Sequence, residues 1–155
     1  MKISHYPIAL ALLMLACGPS TSDKNEGNEQ TASVEQLEKD VFAVHDDVMP
    51  RISDIMKLKK ELNGKLASLD SLQQASPSEA VRIDEQKEQG RLIVRRLTEA
   101  DSLMRDWMHH YNSDTLKALP EADAVRYLNS QKEIINDVKK KINQSVGDAQ
   151  AYLKQ

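Results

Sequence analysis

The chain has 155 residues, of which 29% are charged and only 4% are aromatic, with five Gly and a single Cys. Scarce aromatic residues and glycines favour long helices over sheets, and the length fits one domain. The formal net charge of −3 carries no nucleic-acid signal, and Arg95-Arg96 and Lys139-Lys140-Lys141 have acidic residues on neighbouring turns, which is typical of solvated helix faces.

Residues 1–16 are predicted to be a lipoprotein signal peptide. Lys2 precedes an uninterrupted apolar run, Ile8 to Ala16, that is too short to span a bilayer. The segment Met14-Leu15-Ala16-Cys17 resembles the lipobox of bacterial lipoproteins, which implies cleavage before Cys17 and acylation of that residue. An ordinary secretory signal with an incidental cysteine is the alternative. The only Cys of the chain stands where the lipid signal requires it.

Residues 17–32 are predicted to be the lipidated Cys followed by a disordered tether. The segment is rich in Ser, Thr, Asn, Gly and Glu and has no large apolar residue with which to bury surface. The position after Cys17 is not Asp, which by analogy with lipoprotein sorting favours the outer membrane, facing either the periplasm or the outside.

Residues 33–155 carry three long apolar stripes with helical spacing. The first runs from Val34 to Leu72, and a capping box at Ser33 and Gln36 marks its start. Pro50 interrupts the first stripe without changing its phase, so we expect a kink there and, as a less favoured alternative, a clean break into two helices.

The second and third stripes have their own start signals. Ser76-Pro77-Ser78-Glu79 opens a helix that runs to about Tyr111, and Gly90 on its stripe makes a close helix approach plausible. Pro120 and Glu121 open the third helix, which runs to Tyr152. Three helices of similar length with short connections predict an all-α fold, an elongated up-down-up three-helix antiparallel bundle.

Antiparallel pairing of the first two helices gathers sulfur, imidazole and indole at the end nearest the tether. Thioethers and imidazoles suit Cu(I), and a Met–His pair can ligate haem iron. The candidate metal ligands are His45, Met49, Met104 and Met108, with Trp107 in the same layer. Methionines on a helical flank more commonly fill gaps in a core. The core interpretation is preferred, so no cofactor is expected.

The sequence predicts no enzyme. Asp46 and Asp47 adjoin His45, but no nucleophile, oxyanion hole or glycine-rich phosphate loop accompanies them. We therefore expect no catalytic residue and a non-enzymatic binding or scaffold role. The expected partners are the membrane, through Cys17, and other envelope proteins, and the alternative is a periplasmic copper- or haem-binding bundle.

Three short motifs resemble a group of small bacterial lipoproteins often labelled "viral A-type inclusion protein". These motifs are His45-Asp46-Asp47-Val48-Met49-Pro50-Arg51-Ile52, Leu58-Lys59-Lys60-Glu61-Leu62 and Met104-Arg105-Asp106-Trp107-Met108. Asp47 stands where that group more often has Glu. The resemblance implies a helical architecture and an envelope location, and it adds no activity.

Overall fold

A computed structural model describes residues 26–155, with side chains described for residues 34–155. Its elements are α1 (Glu26–Val48), α2 (Pro50–Ala75), α3 (Ala80–His110), a short α4 (Ser113–Ala118) and α5 (Glu121–Leu153). No strand occurs within residues 26–155. The all-α class is confirmed, with three long helices of which α1 and α2 together form the bent first one.

The bend at Pro50 follows from proline chemistry. Pro50 has no N–H to donate to Asp46 and its ring crowds that carbonyl, so the regular ladder stops between Val48 and Pro50. Met49 nevertheless keeps right-handed helical dihedral angles, φ −53° and ψ −39°. Its N–H donates to the carbonyl of His45 at 2.9 Å. The predicted kink is therefore confirmed, and the helix is bent without being separated into two.

The amino end of α1 differs from the sequence prediction. The helix begins at Glu26, so it includes residues 26–32, which the sequence assigned to the tether, and Ser33 is not its first residue. Once the residues from Val34 onward have formed a helix, extending that helix by one residue costs little free energy, and Glu, Gln and Ala are good helix formers. The predicted signal peptide and Cys17 lie outside the described residues.

The two connections contain short helical turns, of which the sequence predicted only the first, as the start of the second helix. Pro77–Glu79 form a 3₁₀ turn before α3, and the Ser76 side chain makes no capping bond. In the second connection the Asn112 side-chain oxygen accepts from the N–H groups of Asp114 and Thr115 and so caps α4. Leu116 of α4 is buried against the core, which explains why this connection is ordered as a helix.

One hydrophobic core runs between the helices. Its residues recur at three- and four-residue spacings, as expected for helices that each bury one face. Fully buried members include Val41, Val48, Ile55, Leu62, Leu97, Met104, Leu128, Ile135, Ile142 and Tyr152. Within the described part of the chain, no helix combines the length and apolar character needed to cross a membrane.

Gly90 marks the close approach that its place on the stripe suggested. A Cβ at this position would lie 2.8 Å from the Tyr152 hydroxyl and 2.9 Å from Leu66 Cδ2. The Tyr152 hydroxyl donates to the carbonyl of Gln86 at 2.8 Å. Lys65 Nζ donates to the Tyr152 carbonyl at 3.0 Å. The approach is therefore made by a side chain of α5, which locks three helices together at this point.

Ion pairs cross between the long helices outside the core. Lys132 lies 2.8 Å from Asp40, and Lys139 lies 2.6 Å from Asp47, so α5 lysines meet α1 carboxylates. Hydrogen bonds from these lysines hold the pKa values of both carboxyls below their usual range. Half-exposed pairs of this kind contribute little stability individually, but they fix which faces of α1 and α5 meet.

Candidate functional site

Aromatic side chains from α1, α3 and α5 meet at the end of the molecule where α1 lies beside the carboxyl end of α3. The rings of His45 and Trp107 are 5.4 Å apart between centroids and tilted by 32°. Phe42 lies edge-on to Trp107 at 6.4 Å and to Tyr111 at 5.0 Å. Tyr127 of α5 completes the set, 6.0 Å from Tyr111. We call these five residues the aromatic cluster.

The sequence anticipated part of this cluster. It placed His45 and Trp107 in the same layer with Tyr127 nearby, and the structure brings these residues together. It missed Phe42 and the linking position of Tyr111. The available signal was the spacing of Phe42, His45 and Met49, which puts them on one flank of a helix.

Hydroxyl groups at the rim of the cluster are satisfied. The Tyr111 hydroxyl donates to Glu38 at 2.9 Å. Burial, and then this bond to a carboxylate, raise the pKa of Tyr111. The Tyr127 hydroxyl accepts from the backbone N–H of Asn112 at 3.1 Å. These bonds tie the cluster to α1 and to the start of the second connection.

Two nitrogen atoms inside the cluster have no hydrogen-bond partner among the described residues. His45 Nδ1 lies 2.9 Å from a carboxylate oxygen of Asp46. Because a carboxylate only accepts, Nδ1 carries a proton, and in the neutral imidazole Nε2 then carries the lone pair. That Nε2 is buried and unpartnered, as is Trp107 Nε1. Buried polar atoms without partners are uncommon and mark positions where a further group can be accommodated.

The four candidate metal ligands lie in different surroundings. Met104 is fully buried, and Met49 is partly buried against the core. His45 has 17% of its side chain exposed, whereas Met108 is 40% exposed. The described residues contain no group of three or more His, Cys, Asp or Glu side chains arranged for a metal ion. A site at this end therefore depends on thioether sulfur.

The two carboxylates beside His45 do not converge on one site. Asp46 contacts the imidazole, whereas Asp47 pairs with Lys139 of α5 at 2.6 Å. Successive residues point in directions about 100° apart on a helix, which explains the divergence. Asp46 and Asp47 therefore do not form a pair for general acid–base chemistry.

The helices flanking the cluster are held apart. Among the described residues, no Cα of α1 lies within 8 Å of a Cα of α3, although α2 and α3 approach that closely. The gap is bridged by ring side chains. Phe42 of α1 is 38% exposed, and Met108 of α3, the residue after Trp107, is 40% exposed. We call these two partly exposed side chains, one on α1 and one on α3, the apolar strip.

A second concavity lies elsewhere, between α2 and the end of α5. This open recess of about 440 Å³ is lined mainly by Asp54, Lys57, Glu61, Gln150 and Lys154. Lys57 and Glu61 lie 3.9 Å apart, and Asp54 is paired with Arg51. Because several of its charges neutralise one another, the recess offers no convergent set of groups for a ligand.

Comparison of this chain with protein-family models, with curated proteins and with solved structures finds no match.

Proposed function

We propose that this protein is a lipid-anchored, non-enzymatic binding or scaffold protein of the bacterial cell envelope. The observation that carries the binding role is the uncovered apolar strip at Phe42 and Met108, beside the buried Trp107. Exposed aromatic and methionine side chains next to a gap between helices are typical of surfaces that receive another protein. The resemblance to small envelope lipoproteins supports the same location.

The proposed architecture is an elongated up-down-up bundle. The ion pairs between α1 and α5 support a parallel pairing. Asp40 pairs with Lys132, and Asp47, further along α1, pairs with Lys139, which lies the same number of residues further along α5. The contacts between α2 and α3 support an antiparallel pairing. Lys87 pairs with Asp70, whereas Asp84, which comes earlier in α3, pairs with Gln73, which comes later in α2. In this arrangement the aromatic cluster lies at the end nearest the tether.

The proposed partner is an envelope protein that lays an amphipathic helix along the strip between α1 and α3. Its apolar side chains would cover Phe42 and Met108, as in helix-in-groove recognition. Buried aromatic residues such as Trp107 commonly dominate the energetics of interfaces of this kind.

Photo-crosslinking tests this surface directly. A photoreactive amino acid at Met108 is expected to give one defined adduct with an envelope protein in living cells. The matched control is the same amino acid at Ile134 of α5, which is 45% exposed against 40% for Met108. We expect no defined adduct at Ile134. Equal labelling at both positions, or none at Met108, would contradict the proposed docking surface.

Replacing Cys17 tests the proposed anchor. Without its thiol the chain has no other cysteine to acylate, so Cys17→Ser is expected to abolish labelling by radioactive palmitate and to release the protein from the membrane fraction. Several acyl chains on one residue make a durable anchor, so the shift between fractions is expected to be nearly complete. Retained labelling in Cys17→Ser would refute the lipid-anchor assignment, whereas persistent membrane association without label would point to a protein receptor.

A further inference from the structure

We propose that His45 of the aromatic cluster, together with Met49 and Met104, forms a binding site for a soft monovalent cation, Cu(I). The proposal goes beyond the scaffold role and does not depend on it. It assigns a use to the buried His45 Nε2, which has no hydrogen-bond partner within the described residues.

His45 is held in the state that a metal ligand needs. Its Nδ1–H is directed to the Asp46 carboxylate at 2.9 Å, so the neutral imidazole presents its lone pair on Nε2. Imidazoles that bind metals commonly donate their other N–H to a carboxylate, which fixes the tautomer and strengthens the ligand. Asp46 is therefore assigned as a positioning residue that does not touch the ion.

Met49 is presented by the same helical turn. Its N–H donates to the His45 carbonyl at 2.9 Å, so the Pro50 bend leaves this turn intact. Residues four apart are neighbours on a helix surface. Met49 also packs against the core and not outward. His45 and Met49 together make a two-residue ligand set of imidazole and thioether on one flank of α1.

Met104 supplies a third ligand from α3. It is fully buried and lies one turn before Trp107, the residue whose ring contacts His45. Among the described residues, the Cα atoms of α1 and α3 are more than 8 Å apart. This separation leaves room for a side chain from each helix, His45 and Met104, to meet at one ion. Met108 is 40% exposed, whereas Met104 is fully buried, so we do not include Met108 in the ligand set.

The ligand types select the ion. Two thioethers and a neutral imidazole are soft, uncharged donors that suit Cu(I) and bind hard divalent cations poorly. Haem is disfavoured because the rings of the cluster lie 5.0 to 6.4 Å apart, which leaves no slot for a porphyrin between them.

The experiment is an anaerobic titration of the purified protein with Cu(I) in competition with a colorimetric Cu(I) chelator. A Cys17→Ser background removes the only thiol. One ion per chain is expected. His45→Ala and Met49→Leu should each weaken binding by about tenfold or more, and Asp46→Asn by about tenfold. Met49→Leu conserves volume, so its fold should be retained, as circular dichroism will verify.

Matched controls separate a built site from adventitious binding. Met56→Leu changes a methionine that is 60% exposed, and His109→Ala changes an exposed imidazole. Both are expected to leave the affinity unchanged. Absence of stoichiometric Cu(I) binding, or equal losses in Met56→Leu and Met49→Leu, would overturn the site. Crosslinking at Met108 is measured without copper, so failure of the site and failure of the scaffold role are distinguishable.

Discussion

Replacing Gly90 by Ala is expected to lower the free energy of unfolding by about 1–3 kcal/mol, as overpacking of a core does. Alanine is otherwise the better helix former by about 1 kcal/mol. The added Cβ would lie 2.8 Å from the Tyr152 hydroxyl, closer than atoms in contact can stay. The buried ring would have to shift and weaken its bond to the Gln86 carbonyl. Urea denaturation followed by circular dichroism measures the change.

Two other helix glycines provide matched controls. A Cβ at Gly64 or Gly147 would meet nothing within 4 Å. Gly64→Ala and Gly147→Ala are therefore expected to stabilise the protein by about 0.5–1 kcal/mol each, the usual gain in a helix interior. A loss of stability at Gly90, against a gain at the two control positions, would show that the contact with Tyr152 and not helix propensity causes the loss.

A double-mutant cycle attributes the effect to the Tyr152 hydroxyl. Tyr152→Phe removes the atom nearest to the new Cβ together with its bond to Gln86, and it should cost about 1 kcal/mol in the parent protein. In the Gly90→Ala background the same change should cost less, giving a coupling between the two sites. Strict additivity would mean that Leu66, and not Tyr152, limits the space at Gly90.

Trp107→Ala is expected to cost about 3–5 kcal/mol, the range for removing a large buried aromatic side chain. The indole is only 5% exposed and contacts His45, Phe42 and Tyr111. Among the described residues no Cα of α1 lies within 8 Å of a Cα of α3, so side chains, these rings among them, make the contacts between the two helices. The loss should appear in urea denaturation and as increased proteolysis of α1.

Two substitutions calibrate this result. Trp107→Phe retains a ring and should lose less stability than Trp107→Ala. Met56→Ala truncates a side chain that is 60% exposed, and it should change stability by no more than about 0.5 kcal/mol. If Trp107→Ala behaved like Met56→Ala, α1 would be held by α5 alone and the cluster would be dispensable for folding.

Much of the fold could be predicted because its signals are local and repeated. A stripe of apolar residues held over many turns specifies a helix, and Pro50 specifies a bend through the bond that it cannot make. The start of α1 at Glu26 and the turn at Asn112 were missed. Apolar residues do not recur at helical spacing around those ends. Their structure depends on capping hydrogen bonds and on extension of the helix from neighbouring turns.

The candidate site was less predictable because it depends on how far apart helices pack. Met104 and Met108 lie one turn apart on nearly the same face, so the sequence treated them alike. In the structure Met104 is fully buried, whereas Met108 is 40% exposed. The contact of Asp46 with His45, and the unpartnered Nε2, likewise require side-chain geometry.

The contacts of Tyr152 with α2 and α3 also bear on the order in which the chain folds. Contacts that join α2 to α3 close short loops, such as Gln73 to Asp84, eleven residues apart. Lys65 and Tyr152 are 87 residues apart, so their contact closes a far longer loop at a greater entropic cost. We expect the α2–α3 hairpin to form early and α5 to dock late. Substitutions at Tyr152 should then mainly accelerate unfolding, leaving the refolding rate nearly unchanged.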